Sequence, residues 1–247
     1  MQVIDPSAHL GEGVKLGNFV TIGAGVVLGD RVQVGNCVTI YPGTQLGEGV
    51  FVGDNAVVGK PPRPAKTSSV HVDPHLPPLV VGPRSTIGTG AVVYAGSRIG
   101  ADCLIADQAF VREGCTIGDA VIVGQGVCVE NQVLIGDYTK IQSGAYITAY
   151  STLEDHVFVA PMVTTTNDNF MGRTQARFAQ EKGPTMERGA RVGGAAITLP
   201  GVRIAQESFI ATGALVTKDT APKMLYMGLP AKPVRPVPEA ELLENQE

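Results

Sequence analysis

The sequence predicts an all-β chain, a parallel β-helix built from six-residue repeats, and three observations predict it. A branched aliphatic recurs at every sixth position, from Ile4 through Leu10, Leu16, Ile22, Leu28, Val34, Ile40, Leu46 and Val52 to Val58, then from Val81 to Val159, then from Val192 to Ile210. A small or β-branched residue stands four places after each aliphatic, as at Ala8, Val14, Val20 and Val26, and again at Ser85, Ala91, Ser97 and Cys103. Glycine directly follows many of the aliphatics, at Gly17, Gly23, Gly29, Gly35, Gly47 and Gly53 among others, commonly with Asn or Asp next. A helix repeats its apolar face near 3.6 residues and an isolated strand at about 2, so a period of six belongs to neither. It fits a short strand plus a corner, stacked so that successive units share one core.

In the first run, Ile4 to Val58, the aliphatic and the small residue must point inward, because a narrow tube has room for one large and one small side chain per strand. The Gly and Asn or Asp positions are expected to supply the tight or left-handed backbone of the corners. An insertion at 60–79, KPPRPAKTSSVHVDPHLPPL, breaks the beat. Its prolines forbid helix and central strand, which predicts an irregular excursion over a face of the column. His71 and His75 form an H-x3-H pair there, but without a helix to bring both to one side they read as surface or packing histidines. The second run, Val81 to Val159, ends at an insertion spanning 165–190, TTNDNFMGRTQARFAQEKGPTMERGA. This segment holds Arg173, Arg177, Lys182 and Arg188 and no histidine, and it is expected to form a flap whose cations serve an anionic ligand. In the third run Thr198 is the single departure from Val, Ile or Leu among 28 rung positions. At three hexads per turn the rungs make about nine coils and one elongated domain, residues 1–220. The tail, 221–247, carries prolines that stop further coils, and its acidic end from Pro238 is expected to form a short helix covering the last coil against edge pairing.

The absence of Trp and an aromatic content of 5% are compatible with a core of aliphatic ladders. A formal charge of −4, with no basic tract, argues against nucleic acid as a partner. The N-terminal residues lack a charged and an apolar targeting region, and no apolar run approaches membrane length, so a cytoplasmic protein with no membrane partner is expected. Cys103 and Cys115 fall at inward small positions, while Cys37 and Cys128 stand elsewhere; no C-x2-C pair suggests a disulfide framework or structural zinc.

The hexad pattern over most of the chain, with the closing sequence from Gly213-Ala214-Leu215-Val216-Thr217-Lys218-Asp219 to Met227-Gly228-Leu229-Pro230-Ala231-Lys232, resembles the left-handed β-helix acyltransferases. The resemblance supplies the left hand, a homotrimer, and coenzyme A in the groove between subunits. A narrower stretch, Leu153-Glu154-Asp155-His156-Val157-Phe158-Val159-Ala160-Pro161-Met162-Val163 up to Asn167, then Gly183-Pro184-Thr185, is similar to the nucleotide-sugar N-acetyltransferases of surface-polysaccharide synthesis. It implies Asn167 at the reacting amine and Gln142 on the nucleotide-linked amino sugar, for which Lys140 beside it and Arg173 among the flap's cations are further candidates. Gly194, Ala195, Thr212 and Gly213 would hold the pantetheine arm of acetyl-CoA, and Lys218 and Lys232 its phosphates. The chain departs from that branch in the Asp168-Asn169 pair after Asn167, in His156, and in its N-terminal coils and first insertion, which are more reminiscent of the acyl-ACP sugar acyltransferases.

Acyl transfer to an amine needs a neutral nitrogen near the thioester carbon, donors for the developing oxyanion and an outlet for one proton. A hydroxyl acceptor calls more strongly for a His or Glu base. The flap without histidine therefore favours N-acylation, with Asn167 orienting the amine and Asp168 or His156 taking the proton. A sugar O-acetyltransferase would have to rely on His156. A zinc carbonic anhydrase would need His71, His75 and His156 to converge, and their spacing fits that poorly, so no metal is expected. A non-enzymatic scaffold would have little use for the closing coenzyme sequence.

Overall fold

The structure, a computed structural model, describes residues 2–68 and 72–246; His71 lies outside the described residues. The chain divides into two compact units, residues 1–126 and 127–247. Each is a parallel β-helix of very short strands.

In the first unit one face stacks Val3–Ile4, Thr21–Ile22, Thr39–Ile40, Val57–Lys60, Val92–Tyr94 and Phe110–Val111, each parallel to the next, with one register shift between Val58 and Lys60 where the insertion begins. A second face runs from His9–Leu10 to Thr116–Ile117 and a third from Lys15–Leu16 to Ile122–Val123. Both inward positions of the hexad are filled as expected. Ile22, Leu28, Ile40 and Ile87 are buried on the rungs, and Val20, Val26, Val32, Ala91 and Ala109 beside them. The first coil has a neighbour on one side only, which leaves Ile4 and Leu10 39% and 40% exposed. The 60–79 insertion contains no helix among its described residues, and Gly96 N–H donates to Pro77 C=O at 2.7 Å to hold its exit; His75 is exposed.

The corners correct one expectation. The left-handed residue is neither the glycine after the rung nor the Asn or Asp that follows, but the next one: Phe19, Arg31, Cys37 and Asn55 have φ of 57°, 56°, 58° and 59°. The glycine answers a different demand. A Cβ at Gly17 would lie 2.6 Å from the Gly35 carbonyl carbon, and one at Gly53 would lie 2.6 Å from the Thr89 nitrogen, so the next coil passes too close for any side chain. The Asn or Asp is a brace. Asp30, Asn36, Asp107 and Asp119 each accept, at 2.7–2.9 Å, the N–H of the residue eighteen places earlier, which has no other acceptor at the corner.

In the second unit one face holds Cys128–Val129, Tyr146–Ile147, Thr164–Thr165, Ile197–Thr198 and Leu215–Val216. The next holds Leu134–Ile135, Thr152–Leu153, Thr185–Met186 and Arg203–Ile204. The last holds Lys140–Ile141, Phe158–Val159, Arg191–Val192, Phe209–Ile210 and Met224–Met227, with Lys232–Pro236 added antiparallel. Thr165, Met186 and Val216 thus take rung positions beyond the aliphatic runs, and the second excursion is shorter than 165–190, because the chain is paired through Thr165 and again from Thr185. The acidic terminus makes two 3-10 turns, Glu239–Glu241 and Leu243–Asn245, anchored by buried Leu242 and Val237.

Candidate active site

Each coil of the second unit turns three corners, and they divide the expected site residues among themselves. His156 lies at the corner from the Leu134 face to the Lys140 face, and Lys140 opens the strand beside it. Gln142, Gly194, Ala195, Thr212 and Gly213 lie at the corner from the Lys140 face to the Cys128 face. Asn167, Asp168 and Arg173 belong to the excursion from the Cys128 face to the Leu134 face. Within one chain, therefore, Gly194, Ala195, Thr212 and Gly213 are brought together at one corner, Lys218 stands two places after Val216 on the same edge as the flap, and Asn167 and His156 are kept on different edges.

The corner of Gln142, Gly194 and Thr212 differs from the braced corners of the first unit in a way that the sequence did not reveal. Its positions two after the rung are Ser143, Pro161, Gly194 and Thr212, none of which is Asn or Asp. No side-chain brace forms. Ala195 N–H donates to Pro161 C=O at 3.0 Å and Gly213 N–H to Gly194 C=O at 2.9 Å, but the N–H groups of Ser143, Gly194 and Thr212 have no acceptor among the described residues. Thr212 and Gly213 are exposed. An edge of unpaired donors at this corner can hold an extended amide-bearing arm or a developing oxyanion. Lys218 and Lys232 are both exposed; Lys218 follows the last rung of the Cys128 face, and Lys232 opens the strand that pairs with Met224–Met227. The closing sequence extends this face, since Leu215 N–H donates to Gly228 C=O at 3.1 Å and Ala231 N–H to Leu215 C=O at 2.8 Å.

The flap is closed at its neck by Lys182 N–H donating to Asn167 C=O at 3.0 Å. Asn167 is half-buried, its φ is not left-handed, and its side-chain amide has no partner among the described residues, so it is free for a ligand. Asp168 is not. One carboxylate oxygen accepts Phe170 N–H at 2.7 Å, and the other accepts Gly172 N–H at 2.8 Å and Arg177 Nη1 at 3.0 Å. The Gly172 amide first, then that of Phe170 and the Arg177 guanidinium, hold the carboxyl below the usual range for an aspartate. A carboxylate so occupied is a weak proton acceptor and a good loop clamp. Arg177 is likewise spent internally, on Asp168, on Glu181 at 3.4 Å and on the Phe178 ring at 4.6 Å, whereas Arg173 is exposed.

His156 takes the left-handed corner position with φ 58° and stacks on Tyr138, centroids 4.9 Å apart. It lines a cleft with Lys140, Phe158, Arg191 and the C-terminal turns. Among the described residues no group of three or more His, Cys, Asp or Glu could hold a metal, and no helix is long and apolar enough to cross a membrane.

The family model described as bacterial transferase hexapeptide (six repeats) matches residues 25–60 and 114–149. Those two stretches carry the bacterial transferase hexapeptide repeat. A second model, the hexapeptide repeat of succinyl-transferase, matches residues 8–30, and these stretches support the resemblance to the hexapeptide-repeat acyltransferases. A Schizosaccharomyces pombe protein provisionally named an acetyltransferase is 50% identical over 46 residues, 19% of this chain and 22% of that one. A second from the same organism, provisionally named a serine acetyltransferase, is 41% identical over 56 residues, 23% of this chain and 21% of that one. The matches thus span about a fifth of the length of these curated relatives. Among solved structures, an Arabidopsis UDP-N-acetylglucosamine acyltransferase superposes with a TM-score of 0.60 at 18% identity, over 96% of this chain and 73% of that one. Its counterpart from Campylobacter jejuni gives 0.50 at 19% identity, over 94% and 72%. Identities at this level show a shared fold.

Proposed function

We propose that the protein is an acyltransferase that moves an acyl group, most simply acetyl, from coenzyme A to the amine of a sugar carried on a nucleotide. The unbraced corner carries this reading. Its free N–H groups at Gly194 and Thr212 would accept the pantetheine amides and the thioester oxygen, with Lys218 and Lys232 toward the coenzyme phosphates. The amide of Asn167 would orient the acceptor amine, and Gln142 and Arg173 would meet the nucleotide sugar. The amine nitrogen attacks the thioester carbon, the C–S bond breaks, and the sulfur leaves as thiol with the proton the nitrogen sheds. Because that nitrogen can attack while neutral, no strong base is required, which suits a flap whose one acidic pair member, Asp168, is already engaged. Coenzyme corner and flap occupy different edges of the same coils, so a complete site would combine the corner of one copy with the flap of a neighbour, as in a cyclic trimer.

A second reading has its own support. The UDP-N-acetylglucosamine acyltransferases match nearly the full chain, including the N-terminal coils, which favours an O-acyl transfer with a carrier-protein donor. One assay separates them: thiol release from acetyl-CoA with a panel of amino-sugar nucleotides. Release dependent on a free amine, and lost in Asn167→Ala, is the expected result. Turnover only with hydroxyl acceptors and acyl carrier protein would replace the first reading with the second.

A further inference from the structure

The most unusual side chain of the second unit lies outside that site. Arg191 stands on the outward side of the Lys140 face, between Phe158 and Phe209, with its guanidinium 4.8 Å over the Phe209 ring. Nη1 donates to Glu241 of the C-terminal turns at 2.8 Å. Nε and Nη2 are buried and have no acceptor among the described residues. These two nitrogens form the edge of an arginine that binds a carboxylate or phosphate through two parallel hydrogen bonds, and leaving a charged donor edge buried and unmet is destabilising. Beside Arg191 a cleft of about 300 Å³ opens between the coils and the tail, lined by His156, Lys140 and Glu207 on one side and Leu243 and Gln246 on the other.

The tail is held over this cleft by a few replaceable ties. Glu207, 3% exposed, accepts Leu243 N–H at 3.0 Å; Glu244 pairs with Lys223 at 3.0 Å; Val237 N–H donates to Lys223 C=O at 2.9 Å. Glu241 meets Arg191 at Nη1 alone and leaves its Nε–Nη2 edge unmet, whereas a free oxyanion could take both nitrogens of that edge. We propose that the tail is a strap over a second ligand site: a small molecule bearing a phosphate or carboxylate takes the Nε–Nη2 edge of Arg191, displaces Glu241 and releases the turns from Glu239 to Asn245. Lys140 adds a second cation, and the stacked His156–Tyr138 pair with Phe158 offers flat surface for the body of the ligand. The two residues that carry the proposal, Arg191 and Glu241, have no part in the acyl-transfer reading, and the proposal does not rest on it.

Amide exchange of the tail in the full chain tests this, with inorganic phosphate, acetate and chloride compared at equal ionic strength. Phosphate or acetate should raise exchange of residues 239–246 several-fold over chloride, and whichever anion does so identifies the group. Arg191→Lys, which keeps the charge and loses the fork, should abolish the response. Glu241→Gln should lower the anion concentration needed about tenfold, because the internal competitor is weakened. Leu242→Ala, which loosens the strap without touching a charge, should act in the same direction. Equal exchange in all three anions, for the native chain and for Glu241→Gln alike, would overturn the proposal, as would a response undiminished in Arg191→Lys.

Discussion

A six-residue rung leaves each residue one task, and single substitutions separate those tasks. Gly53 is needed because the following coil occupies the place of its side chain, with the Thr89 nitrogen 2.6 Å from where a Cβ would sit; Gly25 is needed only for its φ of +65°, with nothing within 4 Å. Gly53→Ala should therefore cost about 2–3 kcal/mol, an overpacking penalty, while Gly25→Ala should cost about 1 kcal/mol, the left-handed penalty alone. Denaturant midpoints in the two variants test that order. The brace supplies a sharper substitution at the candidate site. Aspartate at the position of Thr212 would copy what Asp30 and Asp107 do elsewhere, closing the Gly194 N–H from the next coil. Thr212→Asp should keep or raise the melting temperature yet raise KM for acyl-CoA by about tenfold or more, since a donor is filled and a negative charge stands in the groove. An unchanged KM in a well-folded variant would deny that corner its role.

At the scale of elements, the flap is a small clamp built on one carboxylate. Asp168 gathers two backbone amides and Arg177, and its pKa falls below the unfolded value near 4. The sign follows from that direction: the ordering it contributes is fully present above the unfolded pKa and is lost as pH falls through the lower folded one. Amide protection across residues 168–181 should persist to a pH below the usual carboxylate range and then drop, and Asp168→Asn should remove the transition while loosening the flap at neutral pH. Most of the coil was legible in the sequence, because inward burial imposes a period that Ile, Leu and Val reveal directly. Thr165 and Met186 were not, since a threonine or methionine on a rung breaks the chemical pattern while keeping the spacing. The meaning of some corner residues was also hidden: glycine and asparagine suggest backbone conformation, whereas the glycine directly after a rung and the Asn or Asp beyond it report the closeness of the next coil, as Gly17 does for Gly35 and Gly53 for Thr89. Arg191 was illegible for a related reason. Its place between Phe158 and Phe209 depends on pairing across the flap, and the length of the flap conceals that register.

At the scale of the molecule, the three-cornered coil keeps apart what the reaction would need together. Free donors lie at one corner, Asn167 at the second and His156 at the third, and no bending of a stacked column brings two corners together. On the proposed function, a site made of the first two would be complete only where two copies meet, and its activity would belong to the assembly. Asn167→Ala and Thr212→Asp each weaken one half of such a site, and with acyl-CoA held well below KM each variant alone should keep about a tenth of the native rate or less. The decisive measurement is the acyl-transfer rate of the two variants refolded together in equal amounts. Random mixing in a cyclic trimer leaves about a quarter of the interfaces with both intact halves, so about a quarter of the native rate should return. A mixture as inactive as its two components would contradict the account, placing the whole site within a single chain.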